Sequence, residues 1–259
     1  MLNSLPRDWE SYPTIVHDDY NGSRALVQRL LQDGAKSFLY VMGGERVSIC
    51  QERYRGFQEV LAEAGECYIQ DPSTLLAPTL LAVQPGECIA DLCCAPGGKS
   101  RCIAECLRGE GSLWCADVAQ DKLPRVRQNL APFANVEVHC LNAATDTLAA
   151  EQWDAILLDV PCSNTGVIRR RPDVRSGFSM AKLKALLQLQ AQILNNCAIA
   201  LNPRGRLVYS TCSIEPEENQ EQVKRFLDIH PGWHCITQRT IFPAAGHDGG
   251  FCALLARVV

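Results

Sequence analysis

From about residue 87 onward the chain alternates short β-like runs with helix-like runs, and this alternation constrains the fold more than any other feature. The pattern predicts strands at 88–94, 112–118, 136–140, 155–160, 206–211, 233–238 and 251–258, with helices at 98–107, 121–130, 180–201 and 216–230. Such alternation is typical of a parallel sheet with crossover helices. The loop 239–250 has no room for a crossover helix, so the last two strands should pair antiparallel. The predicted fold class is therefore α/β, with a doubly wound, seven-stranded, Rossmann-like sheet.

The first 75 residues follow a different pattern. Residues 23–31 and 54–64 read as helices, and residues 37–50 read as a hairpin around Gly43-Gly44. We therefore predict a small α/β appendage at 1–75, followed by a main domain at 76–259.

Composition indicates an ordinary globular protein that keeps its thiols free. The 259 residues are 47% hydrophobic and 21% charged, and no apolar run approaches the length that spans a bilayer. The N-terminus lacks the features of a secretory signal, so a cytoplasmic location is expected. Many of the 14 cysteines lie in apolar segments, where cysteine packs as a small hydrophobe. No Cys-x-x-Cys occurs, and Pro231-Gly232 separates the close pair His230 and His234, so no metal is expected.

Charge is distributed unevenly along the chain. The net charge of −4 and the pI near 5.8 argue against a generally basic nucleic-acid binder. Residues 161–185 nevertheless hold six Arg or Lys side chains against the single acidic residue Asp173. A charge run is usually a solvated face, but this one follows a candidate active-site motif. The guanidinium groups of Arg169, Arg170 and Arg171 are thus candidates for binding a phosphate backbone.

The segment Asp91-Leu-Cys-Cys-Ala-Pro-Gly-Gly-Lys-Ser runs from a predicted strand through small residues into a helix. Small residues let the backbone approach a ligand closely, although glycines after a strand are most often ordinary turn residues. The spacing is neither Gly-x-Gly-x-x-Gly nor that of a phosphate loop, which disfavours pyrophosphate. The candidate cofactor-binding residues in this segment are Cys93, Cys94, Ala95, Pro96, Gly97, Gly98 and Lys99.

Three polar residues follow later strands of the same predicted sheet. Asp117 lies 20 positions beyond Gly97, where doubly wound folds place a carboxylate for ribose hydroxyls. Asn142 follows the third strand and could accept a hydrogen bond from an adenine amino group, and Asp159 ends the fourth strand. Taken singly, Asp117 reads equally well as a helix cap and Asn142 as a turn former. Taken together, the positions of these three residues at the ends of successive strands predict a cofactor made of adenosine and an amino acid.

Two cysteines follow strand-like runs, Cys162 in Asp159-Val-Pro-Cys and Cys212 in Tyr209-Ser-Thr-Cys-Ser. Most buried cysteines are structural, but these two should converge if the fourth and fifth strands are neighbours. A thiolate added to carbon 6 of cytosine makes carbon 5 nucleophilic enough to attack the methyl group of a sulfonium cofactor. The pair therefore predicts pyrimidine methylation, with either cysteine as the nucleophile, on an unstacked base in RNA.

These segments resemble the Sun/Fmu type of RNA 5-methylcytosine methyltransferases over residues 69–259. The motifs that carry the resemblance are Ile69-Gln-Asp-Pro-Ser, Asp91-Leu-Cys-Cys-Ala-Pro-Gly-Gly-Lys, Asp159-Val-Pro-Cys-Ser-Asn-Thr-Gly, Ser210-Thr-Cys-Ser-Ile-Glu-Pro-Glu-Glu-Asn and Asp248-Gly-Gly-Phe. The resemblance implies a methyltransferase-type sheet. It also implies S-adenosyl-L-methionine contacts from Cys93 through Lys99 and from Asp117, Asn142 and Asp159.

The resemblance also implies roles for the cysteines and a substrate. Cys212 would be the nucleophile, Cys162 would assist product release and Asp159 would hydrogen-bond the ring. The substrate would be RNA, with rRNA preferred and tRNA possible, and residues 1–75 or a protein partner would supply further RNA contacts. The chain departs from the family at Asn142 for Asp, Cys94 for Ala and Asn164 for Gly. The alternative hypothesis is a catalytically silent relative that binds cofactor or RNA during ribosome assembly.

Overall fold

The structure is a computed structural model that describes residues 18–34, 48–64, 70–244 and 247–258. The chain divides into two compact units between Ile69 and Gln70, and each is described by itself.

The second unit is built on a seven-stranded sheet of order β3-β2-β1-β4-β5-β7-β6. The strands are β1 Cys88–Asp91, β2 Ser112–Asp117, β3 Val136–Cys140, β4 Trp153–Asp159, β5 Leu201–Thr211, β6 Trp233–Ile241 and β7 Gly250–Arg257. Strands β1 to β5 are parallel to one another, and β7 runs antiparallel to both β5 and β6. The predicted fold class, including the antiparallel last pair, is confirmed.

Helices cover both faces of this sheet. They are α3 Leu76–Leu81, α4 Gly98–Leu107, α5 Leu123–Leu130, α6 Asp173–Gly177, α7 Met180–Ala198 and α8 Gln220–Ile229. One buried layer joins Leu81, Ile103 and Val126 of α3, α4 and α5 to the sheet, and the other joins Leu194 of α7 and Phe226 of α8 to it. Because both of its faces are packed, β4 is an almost continuous apolar run.

The parallel register brings the ends of three strands together. Asp91 at the end of β1 is the partner of Leu157, and Asp159 at the end of β4 is the partner of Ser210. The residues that follow β1, β4 and β5 therefore leave the sheet at one edge, where ligands bind in doubly wound folds.

Several predicted boundaries differ from the structure. The strand predicted at 88–94 ends at Asp91, the strand predicted at 155–160 spans Trp153–Asp159, and the strand predicted at 233–238 extends to Ile241. The helix predicted at 180–201 ends at Ala198, and β5 begins at Leu201 rather than at Arg206. A register shift relative to β4 accommodates the extra residues around Pro203 and Gly205, two residue types that are disfavoured inside strands. The helix predicted at 216–230 begins only at Gln220, because Glu218 and Asn219 turn their side chains into the protein interior.

The described part of the first unit contains two helices, α1 Asp19–Gln32 and α2 Ser48–Glu63, which include most of the two helical segments predicted there. Val27 of α1 packs with Val60 and Leu61 of α2, and Arg24 forms ion pairs with Glu59 and Glu63. Most of the hairpin predicted at 37–50 lies outside the described residues. The hairpin prediction is wrong for residues 48–50, because these residues form the first turn of α2.

None of the helices in the described ranges combines the length and the apolar character needed to cross a bilayer.

Candidate active site

The loop after β1 is held by backbone hydrogen bonds. Cys94 N–H donates to Ala116 O at 3.0 Å, and Gly97 N–H donates to Cys94 O at 2.7 Å. Gly97 has φ +102°, a conformation that glycine adopts without steric cost, and α4 starts directly after it. The residues Ala95 to Gly98 that precede and begin α4 are small, and it stays a prediction that they leave its first N–H groups open to a ligand.

Asp117 and Asn142 lie at the ends of the next two strands, β2 and β3, and both are half-buried. The Asp117 carboxylate accepts hydrogen bonds from the N–H groups of Ala95 and Ala119, at 3.0 and 2.9 Å. Asn142 Oδ1 accepts from Ala144 N–H at 3.0 Å, so the amide also serves the local turn. Asp117 therefore links the loop after β1 to the end of β2, and each oxygen keeps a further lone pair for a ligand.

Lys99 and Asp159 form an ion pair at the same edge of the sheet. Lys99 Nζ lies 2.7 Å from Asp159 Oδ2, and Ser210 Oγ donates to Asp159 Oδ1 at 3.1 Å. Burial acts to lower the pKa of Lys99, but the Asp159 carboxylate outweighs it and holds that pKa above its ordinary value. The site therefore keeps a protonated ammonium group beside the end of β4.

The structure brings the two cysteines into contact. Cys162 Sγ lies 3.2 Å from Cys212 Sγ, and Cys162 is buried whereas Cys212 is half-buried. The hydrogen bond with Cys212, together with burial, raises the pKa of Cys162 well above its ordinary value. Cys162 therefore remains a thiol near neutral pH. Cys212 is the more exposed of the two cysteines.

A buried carboxylate orders the loop that carries Cys162. Glu218 is fully buried, and Glu218 Oε1 accepts from Ser163 N–H and from Gln190 Nε2, both at 2.9 Å. Glu218 Oε2 accepts from Ser163 Oγ at 2.5 Å, and Gln190 Nε2 also donates to Pro161 O at 2.9 Å. Charge-assisted hydrogen bonds of this kind are the strong ones, so Glu218 fixes the chain on both sides of Cys162.

Glycines bring the cysteine loops close enough for backbone contact. Gly166 N–H donates to Cys212 O at 3.0 Å, and Gly249 N–H donates to Gly166 O at 2.8 Å. A Cβ atom on Gly166 would lie 2.8 Å from Cys212 O, closer than real side chains pack. This position therefore requires glycine.

The three candidate RNA-binding arginines differ in their surroundings, although all are exposed. Arg170 forms an ion pair with the buried carboxylate of Asp248, whose backbone N–H donates to Asp71. Arg171 pairs with the exposed Asp173 at 2.8 Å. Arg170 therefore holds the structure together at this place, which leaves less of its guanidinium for phosphate than the sequence suggested.

Three site residues were not predicted from the sequence as functional: Asn164, Ser163 and Glu218. Asn164 Oδ1 lies 2.8 Å from Cys212 Sγ. The only signal for Glu218 was its position in Glu-Pro-Glu-Glu-Asn shortly after the Thr-Cys motif. In the described ranges no group of three or more His, Cys, Asp or Glu side chains is arranged to hold a metal ion.

The sheet order, together with the small-residue loop after β1, defines the class of S-adenosylmethionine-dependent methyltransferases. Residues 78–251 match the family model for the 16S rRNA methyltransferase RsmB/F, and the chain belongs to that family.

Curated relatives from several bacteria share one name, ribosomal RNA small subunit methyltransferase B. The chain is 41% identical over 199 residues to the ribosomal RNA small subunit methyltransferase B of Vibrio cholerae, covering 73% of this chain and 46% of that one. It is 43% identical over 166 residues to the protein of that name in Salmonella agona, covering 63% and 38%. The chain thus spans less than half the length of these two relatives.

Two solved structures from Pyrococcus horikoshii share the fold. The structure of NSun6 with SFG has a TM-score of 0.68 at 25% identity, covering 77% of this chain and 55% of that one. A methyltransferase homolog protein has a TM-score of 0.68 at 27% identity, covering 91% and 82%.

Proposed function

We propose that this chain transfers a methyl group from S-adenosylmethionine to carbon 5 of a cytosine in RNA, through a covalent adduct on Cys212. The observation that carries the proposal is the 3.2 Å contact between the Cys162 and Cys212 sulfurs at the edge of the sheet that also holds Lys99 and Asp159. The names of the curated relatives favour rRNA over tRNA as the substrate.

The residues around the loop after β1 fit the cofactor. The N-terminal N–H groups of α4 suit the carboxylate of its amino-acid part, and Asp117 suits the ribose hydroxyls. Cys93 through Lys99, Asn142 and Asp159 complete the set that would hold it. SFG, the ligand of the NSun6 structure, is an analogue of S-adenosylmethionine, which supports the assignment. When bound, the cofactor would supply the methyl group to carbon 5, and its sulfonium sulfur would keep the electron pair of the broken S–CH3 bond as a neutral thioether.

The first step is addition of the Cys212 thiolate to carbon 6 of cytosine. The C5–C6 double bond opens, and its electron pair is delocalised toward ring nitrogen 3. A hydrogen-bond donor at that nitrogen stabilises the developing charge. The Lys99–Asp159 pair supplies this donor. Either Asp159 orients the Lys99 ammonium toward the ring, or Asp159 takes a proton from that ammonium and donates the hydrogen bond to the ring itself.

Release of the methylated base requires loss of the proton on carbon 5 and cleavage of the C6–S bond. The proton passes to solvent, its electron pair restores the C5–C6 double bond, and the Cys212 sulfur departs as a thiolate. Cys162 is held as a thiol within 3.2 Å, so it can donate a hydrogen bond to the departing sulfur. Without Cys162 the adduct should persist.

Residues 1–75 are proposed as a unit that contributes RNA contacts, while residues 76–259 carry the catalytic domain. Arg169, Arg170 and Arg171 are proposed to lie along the RNA backbone. A protein partner that supplies additional RNA contacts and a cytoplasmic location complete the proposal.

The test uses single alanine variants incubated with small-subunit rRNA and S-adenosylmethionine. Cys162→Ala should accumulate a protein–RNA adduct that survives denaturing electrophoresis, whereas Cys212→Ala should give neither adduct nor product. Cys106→Ala, an exposed thiol at the far end of α4, serves as the control and should methylate normally. An adduct in Cys212→Ala would reverse the assignment of the two cysteines.

The second candidate, a silent relative that binds cofactor or RNA without turnover, has no structural observation in its favour. Calorimetry with S-adenosylmethionine and bisulfite mapping of RNA from a deletion strain would separate the two. Cofactor binding without loss of any methylated cytosine would support the silent relative.

A further inference from the structure

The Asn164 carboxamide lies against both active-site sulfurs. Its Oδ1 is 2.8 Å from Cys212 Sγ and 3.9 Å from Cys162 Sγ. The residue is half-buried at the start of the 3-10 turn Thr165–Val167, and its side chain caps no backbone N–H group of that turn. The amide is therefore directed to the cysteines rather than to the local backbone.

The backbone of Asn164 does not by itself call for asparagine. Its φ of 62° and ψ of 21° lie in the left-handed region, where glycine has no steric penalty and asparagine a small one. Glycine would satisfy the turn at lower cost. The side chain therefore calls for an explanation in the site itself.

We propose that Asn164 is a further catalytic residue, which orients the Cys212 thiol and then stabilises the thiolate by hydrogen bonding. In the resting state the Cys212 S–H donates to Asn164 Oδ1. When that proton leaves to solvent, rotation of the carboxamide turns the Nδ2 hydrogens toward the sulfur, and only the S–H bond is broken. This inference rests on the proposed function, since it assigns Asn164 to the nucleophile of that reaction.

Other ionisable groups also act on Cys212. Lys99, Arg170 and Arg171 carry positive charges that interact with Cys212, and Cys162 is in direct contact with it. Asp159 and Asp248 are bonded to Lys99 and Arg170, which reduces what these two cations contribute. The neutral carboxamide of Asn164, whose Oδ1 lies 2.8 Å from Cys212 Sγ, is therefore a distinct source of stabilisation for a thiolate once its Nδ2 hydrogens face the sulfur.

The test measures the chemical reactivity of Cys212 without RNA or cofactor. Wild type, Asn164→Gly and Asn164→Asp are treated with iodoacetamide from pH 6 to pH 10, and alkylation is followed by mass spectrometry of the Cys212 peptide. Arg108→Gly is the matched control, because Arg108 is exposed and has a similar left-handed backbone at the end of α4. Methylation of rRNA is measured on the same variants.

Asn164→Gly should alkylate at Cys212 roughly tenfold more slowly near neutral pH, as expected for the loss of one hydrogen bond to a charged group. Asn164→Asp should be slower still, because its carboxylate repels the thiolate, and Arg108→Gly should match wild type. The kcat of methylation should fall in the same order, with little change in the KM for RNA.

Superimposable alkylation profiles for wild type, Asn164→Gly and Asn164→Asp would overturn the inference. The cysteine variants above test the proposed function separately. If Asn164→Gly slows alkylation but Cys162→Ala traps no RNA, the contact with Cys212 is right and the reaction assigned to it is wrong.

Discussion

At the residue scale, the sheet edge holds a carboxyl group that the proposed chemistry does not use. Asp91 ends β1 and is 1% exposed, with Ser100 Oγ donating to its Oδ2 at 2.6 Å. Its Oδ1 accepts no well-formed hydrogen bond from the described residues. Burial raises the pKa of Asp91 to about 7, and the nearby Asp159 contributes in the same direction. The folded protein therefore keeps Asp91 protonated at pH values where the unfolded chain has lost that proton.

We expect Asp91→Asn to make folding stability less dependent on pH. The pKa of Asp91 is higher in the folded state than its unfolded value, so its contribution to stability is complete below pH 4 and is lost as the pH rises through about 7. The variant's free energy of unfolding should therefore rise relative to wild type over this range, by up to roughly 4 kcal/mol. Urea unfolding at several pH values measures this, and a constant difference would contradict it.

At the element scale, the sequence predicted strand positions better than it predicted the site's internal contacts. The positions of β1 to β4 follow from apolar runs, although β1 ends at Asp91 rather than at residue 94, and the two cysteines follow from the ends of neighbouring strands. The early start of β5 and the late start of α8 escaped prediction, because each depends on a neighbour distant in sequence. The contacts of Glu218 with Ser163 and of Asn164 with Cys212 span 55 and 48 residues, so no local pattern encodes them.

Glu218→Gln should misplace the loop between β4 and α6 that carries Cys162. A carboxamide offers one acceptor oxygen where the carboxylate uses two, and it brings an N–H group against the Ser163 donors. We expect kcat to fall more than KM rises, and the free energy of unfolding to fall by roughly 1–3 kcal/mol.

Glu217→Gln is the matched control for this change, because Glu217 is only half-buried and its carboxylate is not part of the network around Ser163. Steady-state kinetics and thermal unfolding of both variants make the comparison. Equal behaviour of the two would show that Glu218 does not position the cysteine loop.

At the scale of the whole catalytic unit, one ion pair connects segments that lie far apart in sequence. Arg170, which follows the Cys162 loop, binds Asp248, which precedes β7 and is itself bonded through its backbone to Asp71, just before α3. A chain with a net charge of −4 thus uses part of its basic cluster internally. The other cations of residues 161–185 are exposed, and these are the side chains that we propose contact a polyanion.

Arg170→Ala should therefore lower stability as well as RNA binding. Asp248 is 1% exposed, and removing its partner leaves a buried carboxylate without compensation. Because Arg170 itself is half exposed, we expect a cost on the order of 2 kcal/mol, below the roughly 3–5 kcal/mol of a fully buried pair. Arg175→Ala, an exposed position in α6, should bind RNA more weakly at unchanged melting temperature. Equal melting temperatures for Arg170→Ala and Arg175→Ala would show that Arg170 has no structural role.

The closeness of the two active-site sulfurs has a chemical consequence beyond catalysis. At 3.2 Å they need little movement to join, so a mild oxidant that removes two electrons and two protons would link them and block the nucleophile. Dithiothreitol would reverse the damage. We therefore expect air exposure during purification to lower the turnover rate.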